Sequence, residues 1–204
     1  MKSCSIRLAI ILAMCISGAS QAAIYTTQLT GPNESPPNAS PGVGNGVINF
    51  DLATHSFNIN MNFSGLTGTT TASHIHCCTV PTGTALVAMV ATRLPTFAGF
   101  PLGVTNGSYN QTFNTLNLAT WNPGFVTASG GTVAGAEAAL AAGLSAGTSY
   151  LNIHTSTFSG GEIRGFLRPA ATSQVPEPSA LALFAISIGG LIAARRKRAK
   201  SARR

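Results

Sequence analysis

Four histidines and one pair of adjacent cysteines hold most of the reactive chemistry between the apolar ends of this chain. In His74-Ile75-His76 the outer two residues share a face if the segment is a strand, because side chains alternate there. With Ile75 turned to a core, both imidazoles lie on the outer face. The same parity holds in Leu151-Asn152-Ile153-His154, where Ile153 inward sets Asn152 and His154 outward. Ile163 and Leu167 inward set Glu162 and Arg164 outward as well. If these strands are neighbours, His74, His76 and His154 converge, and three neutral imidazoles suit copper or zinc. Cys77 and Asn152 stand beside the set, and Glu162 is placed to orient an imidazole as a supporting carboxylate. A plainer reading fits the same residues: imidazoles hydrogen-bonded to nearby loops, and Glu162 paired with Arg164. His55 falls in a hairpin loop and is expected to be exposed.

Those histidines need strands to carry them, and the surrounding pattern supplies strands. Phe57-Asn58-Ile59-Asn60-Met61-Asn62-Phe63 alternates apolar and polar without a break, which marks a strand with one buried face. Ile48, Phe50 and Leu52 alternate just before it, with residues 53–56 as the hairpin loop. Further strands are expected at 24–30, 72–77, 86–91, 108–113, 149–155 and 162–168. One stretch differs. Residues 132–144 are Ala-rich with Thr132 as a cap, and read as a helix. Short strands split by Gly, Pro and Asn turns point to a mainly β fold, an antiparallel Greek-key sandwich or barrel with one short helical insertion.

The two ends read as targeting helices. Lys2 and Arg7 precede an apolar stretch from residue 8 to 16, and Ser20-Gln21-Ala22 offers small residues at a cleavage site. Residues 1–22 therefore read as a signal peptide. At the other end, Pro176-Glu177-Pro178 is followed by an apolar run over residues 180–194 and then Arg195-Arg196-Lys197-Arg198. A helix of that run spans roughly 22 Å, short of the ~30 Å hydrocarbon core, so it suits a processing segment better than a permanent span. The basic cluster places the C-terminus in the cytoplasm.

Charge then takes on a different meaning. The chain carries a formal +7. Nine of its twelve Lys and Arg residues lie in the two end segments. Between them remain Arg93, Arg164 and Arg168 against Glu34, Asp51, Glu137 and Glu162, three against four, or −1. That leaves no basic stripe for nucleic acid. With four acidic residues, most acid–base mechanisms lack parts. There is no phosphate-binding loop or glycosidase carboxylate pair either. Cys4 and Cys15 leave with the signal peptide, so Cys77 and Cys78 form no disulfide framework. Reduced, metal-bound and intermolecularly paired states all remain open to them.

Two resemblances gather these observations. The order Pro-Glu-Pro, apolar run and basic tail over residues 176–204, after a 171–175 linker, resembles the PEP-CTERM sorting signal. The resemblance implies processing by an exosortase at the inner membrane. Residues 23–170 resemble the CHRD domain of chordin-type proteins. The likeness rests on Gly31-Pro32-Asn33-Glu34-Ser35-Pro36-Pro37, His74-Ile75-His76, Asn152-Ile153-His154-Thr155 and Gly160-Gly161-Glu162-Ile163-Arg164-Gly165. It implies an extracellular module and a binding role by analogy. His74, His76 and His154 also fall in the order of the copper ligands in copper-zinc superoxide dismutase. That enzyme's bridging histidine, acidic zinc loop and disulfide have no counterparts here.

The expectation is a non-enzymatic binding or structural module, exported across the inner membrane, transiently anchored there, and delivered to the cell surface or matrix. Matrix polysaccharide or surface proteins are its expected partners. The alternative is a copper- or zinc-binding redox protein using the three histidines. Changing Pro176, Glu177 and Pro178 to alanine in an exosortase-containing host should trap a longer, membrane-bound form, visible by blotting cell fractions. Unchanged size and release would remove the sorting role.

Overall fold

The computed structural model describes residues 22–79 and 87–170. The expected signal peptide and sorting segment, with Pro176, Glu177 and Pro178, lie outside the described residues. Among those described, no helix is long and apolar enough to cross a membrane.

Eight antiparallel strands form one curled sheet. In chain order they are β1 (Ala23–Thr30), β2 (Val43–Asp51), β3 (Ser56–Ser64), β4 (Thr70–His76), β5 (Gly107–Asn114), β6 (Tyr150–Thr155), β7 (Ile163–Phe166) and β8 (Arg168–Pro169). Across the sheet the order is β4-β6-β7-β1-β2-β3-β5, with β8 also on β1. The chain thus leaves β3 near one edge, lands in β4 at the other, and returns to β5. Residues 89–105 run along the open edge of β4 and carry the chain back. Their backbone bonds Cys77 N–H to Met89 O, Ala91 N–H to Ile75 O, Phe97 N–H to Ser73 O and Thr70 N–H to Val104 O. An edge that would otherwise template aggregation is covered in this way.

The alternation seen in the sequence decides the core. Phe57, Ile59, Met61 and Phe63 are buried, while Asn60 and Asn62 face water. In register, Ile48 stands opposite Ile59 and Phe50 opposite Phe57. Gly44 and Gly46 stand opposite Phe63 and Met61. A Cβ on Gly46 would come within 2.9 Å of the Leu151 side chain, so glycine lets β6 pack across the curl against β2. Leu29, Ile75, Leu151, Ile153, Ile163 and Leu167 complete the interior.

Two helices fill the connection from β5 to β6: α1 (Pro123–Ala128) and α2 (Val133–Ser145). The α2 helix begins where Thr132 Oγ1 accepts from Gly135 N–H at 3.0 Å. It ends at Gly147, whose φ of +66° suits a residue without a Cβ. Gly147 N–H bonds Leu144 O and Thr148 N–H bonds Gly143 O, closing the helix as a Schellman turn. Ala136, Leu140 and Leu144 are its buried residues against the sheet core.

Several expectations need correction. Leu52 is exposed in the turn after β2, where Asp51 Oδ1 accepts from Ala53 N–H and ends the pairing. Residues 87–91 form no regular strand; Val90 makes only an isolated bridge to His76. The expected strand over 162–168 is split at Leu167 into β7 and β8. The short helix α1 went unread in the sequence. Its signal is Asn122-Pro123, with Asn122 Oδ1 accepting from Gly124 N–H and proline in the first turn.

This core makes a direct prediction. Ile59→Asp should abolish the cooperative thermal transition, because it buries an unpaired charge. Asn60→Asp, one residue away on the wet face, should shift stability by no more than about 0.5 kcal/mol. Equal melting curves for the two variants would overturn the strand's facing.

Candidate metal centre

Ile75 and Ile153 are fully buried in the core, so His74, His76, Asn152 and His154 fall on the opposite face of β4 and β6. The register sets His74 opposite Asn152, and His154 opposite Ala72. Ring centroids lie 5.2 Å apart for His74 and His154, 5.9 Å for His74 and His76, and 6.2 Å for His76 and His154. One ligand nitrogen from each ring lies within 4.8 Å of the others.

His74 is buried on this face and His76 and His154 are half-buried. The connection from β4 to β5 and the turn after β6 lie over it, and their backbone carbonyls meet the imidazoles one to one. His74 Nε2 donates to Pro95 O at 2.6 Å, His76 Nδ1 to Ala88 O at 2.8 Å, and His154 Nδ1 to Ser159 O at 2.8 Å. A carbonyl only accepts, so each of these nitrogens carries the proton. The lone pairs therefore sit on His74 Nδ1, His76 Nε2 and His154 Nε2. All three are buried without a hydrogen-bond partner among the described residues. Imidazole with one N–H tied to a carbonyl and the other nitrogen bare is the tautomer that ligates metal. Burial lowers the pKa of His74 and of His76 to about 4 against the opposing pull of their carbonyl bonds, and lowers that of His154 too. The rings are neutral at ordinary pH.

A polar layer borders the cluster. His76 stacks on Tyr150, centroids 4.6 Å apart and rings 9° from parallel. Burial raises the Tyr150 pKa, and its hydroxyl accepts from Ala88 N–H at 3.3 Å. The Arg164 guanidinium lies 4.8 Å from the Tyr150 ring centre. Arg164 Nε donates to Asn33 O and sits 3.7 Å from Glu34 Oε2. Burial raises the Glu34 pKa to about 7, opposed by Arg164 and by the Ser35 N–H. Asn152 Nδ2 donates to Glu34 Oε1 at 2.7 Å.

The supporting residues expected from sequence part company here. Asn152 lies on the same face as the imidazoles, opposite His74, and bonds Glu34. Glu162 does not reach them and does not pair with Arg164. It is fully buried, and its carboxylate accepts from Ser40 Oγ, Thr155 Oγ1 and the Thr67 and Gly68 N–H groups. Burial pushes its pKa up, and those four bonds outweigh it and hold the value low. Its work is to tie the loops at residues 40 and 67–68 to the sheet. Cys77 turns to the core side, as its odd number beside Ile75 requires. There it is disulfide-bonded to Cys78 and packs on Ala139 and Gly143 of α2. His55 is not simply exposed. Its Nδ1 contacts both Glu137 oxygens at 3.1 and 3.0 Å, and Glu137 also accepts from Thr115 Oγ1. Tyr150, Glu34 and the three carbonyls were missed as site components. Tyr150 could have been found by extending the parity of β6 back two residues. The carbonyls carry no side-chain signal.

Fold and site together describe a mainly β domain with a buried tri-histidine face. The chain belongs to the CHRD domain family, whose model matches residues 25–167. A PEP-CTERM protein-sorting motif follows at residues 174–198. None of the curated proteins and none of the solved structures compared matches the chain. The motif marks a protein that is exported, transiently anchored in the membrane, processed by exosortase and delivered to the cell surface or beyond.

The buried groups set the acid response of the metal-free protein. Three histidines with lowered folded pKa bind protons more readily unfolded, so stability should fall as pH drops from about 6.5 towards 4. Glu34, with its raised folded pKa, works the other way: it favours the folded state at low pH and loses that contribution as pH rises through about 7. Glu34→Gln should therefore steepen the acid loss between pH 4.5 and 6.5. Thermal melts across that range check the slope, and an unchanged or shallower slope would contradict it.

Proposed function

We propose that the exported protein is a metal-binding module of the cell surface or extracellular matrix, holding one copper or zinc ion through His74, His76 and His154. The observation that carries this reading is the set of three buried, partnerless ring nitrogens with their opposite nitrogens tied to carbonyls. Leaving a buried acceptor unpaired costs about 1–3 kcal/mol. Three such atoms gathered within a metal's reach, on a face that loops cover, are explained if a cation completes them. Neutral imidazoles with no carboxylate ligand favour copper or zinc over magnesium or calcium. In this reading the histidines bind and the backbone carbonyls fix their orientation. A bound ion would supply charge, or with copper a redox centre. The domain's role is binding; no nucleophile or general base is assigned.

A second reading has its own support. On the wet face of β2, β3 and β5, Asn45 pairs with Asn62, Asn49 with Asn58, and Asn60 with Asn110. Asn58 Nδ2 donates to Asn110 Oδ1 and Thr112 Oγ1. An uncharged array of amides and hydroxyls suits contact with neutral matrix polysaccharide. The two readings are compatible, since they use opposite ends of the sheet order.

Copper and zinc titrations of the released protein, followed by calorimetry and elemental analysis, test the metal reading. One ion per chain is expected. His74→Ala, His76→Ala and His154→Ala should each weaken binding at least about tenfold, and His55→Ala should not. A stoichiometry near zero would end it.

A further inference from the structure

Asn152 holds a further unpaired atom on this face. The residue is 2 % exposed. Its amide Nδ2 donates to Glu34 Oε1 at 2.7 Å, the orientation that suits the ionised carboxylate. That leaves Oδ1 as an acceptor, buried and without a hydrogen-bond partner among the described residues. Asn152 stands directly across from His74 and two residues before His154 on the same face. Directly opposite residues have Cβ atoms about 4.5–5.5 Å apart. The strand pairing thus sets the carboxamide on the same face as the three bare nitrogens, across from His74 and two residues from His154.

Three imidazoles also leave a coordination position that no other described residue fills. Zinc and copper sites with three protein ligands keep such a position for water or substrate. A water bound there has two hydrogens and needs an acceptor. Oδ1 is an acceptor and needs a hydrogen. Each supplies what the other lacks.

Resting on the metal reading above, we propose that the ion keeps one exchangeable position, that water occupies it, and that Asn152 Oδ1 accepts a hydrogen bond from that water. Asn152 is then a positioning residue that sets which small ligands the ion takes. A ligand carrying hydrogen on its bound atom satisfies Oδ1. An aprotic anion such as azide strands Oδ1 as a buried, unpaired acceptor. The site therefore discriminates in favour of protic oxygen ligands and against aprotic anions.

The test uses the released protein loaded with one equivalent of Cu(II). Electron–nuclear double resonance in H2O and in D2O reads the exchangeable position in the unaltered protein. Strong couplings from the protons of a directly bound water, larger than those of the distal imidazole N–H protons, are expected in H2O and lost in D2O. Azide is then titrated into the copper forms of the unaltered protein and of Asn152→Leu, following the azide-to-copper absorption band. Leucine has a similar size and no acceptor, so azide affinity should rise about tenfold, the cost of one stranded acceptor. Absence of copper binding overturns the metal reading itself. Copper bound without those strong exchangeable couplings overturns only the proposed water, as does equal azide affinity in the two forms. If Asn152→Leu fails to fold, the double-resonance result on the unaltered protein decides alone.

Discussion

Everything at the site depends on the antiparallel pairing of β4 with β6. Ser73 and Asn152 are 79 residues apart in the chain, yet Ser73 Oγ donates to Asn152 O at 2.8 Å. Because the side-chain period of a strand is two, a slip of one residue in this register would send Ile75 outward and both imidazoles inward. The core prevents the slip. Ile75, Leu151, Ile153 and Ile163 are fully buried, and each would have to be replaced in the interior by a polar neighbour. Hydrophobic burial on one face thereby sets the geometry of the polar chemistry on the other.

The polar face is itself buried, and that changes its energetics. A histidine covered by loops cannot charge cheaply, so neutral rings follow from the packing. The Glu34 carboxyl and the Arg164 guanidinium share this low-dielectric layer, and aromatic rings border the guanidinium. Polar groups here are held by one another or by backbone, with Asn152 linking the Glu34 corner to the imidazoles. The CHRD motif Gly31–Pro37 belongs to this same structure, since it supplies Asn33 O and Glu34. Glu162, which also reads as a site residue in sequence, serves a different structural need. Four hydrogen bonds to one carboxylate anchor loops that would otherwise leave the sheet edge ragged.

The rest of the domain suits a protein that works outside the cell. The positive charge of the whole chain belongs to its two ends, and the domain between them carries almost none. Its wet strands present asparagine and threonine instead. The two cysteines that remain are joined to each other and seated on α2. The hairpin after β2 is fastened to the same helix through His55 and Glu137. Helix α2 therefore receives contacts from the hairpin and from the end of β4.

Local periodicity determined a great deal by itself. The strands around residues 24–30, 57–63 and 108–113, the Thr132 cap, and the outward parity of His74, His76, Asn152 and His154 all follow from neighbours along the chain. So do the sorting signal and the charge balance, which depend on order and composition. Tertiary structure decided the rest. Parity says which face a side chain takes, but not whether a loop covers that face. Nothing in His-x-His foretells that carbonyls from Ala88, Pro95 and Ser159 will choose the tautomers. Arg164 pairs with Glu34 rather than Glu162 because the turn after β1 folds back onto β7, a contact between residues more than a hundred positions apart. Cys77 faces the helix for the same reason that His76 does not. Long-range closure and loop coverage are properties of the assembled sheet, and no short window of sequence contains them.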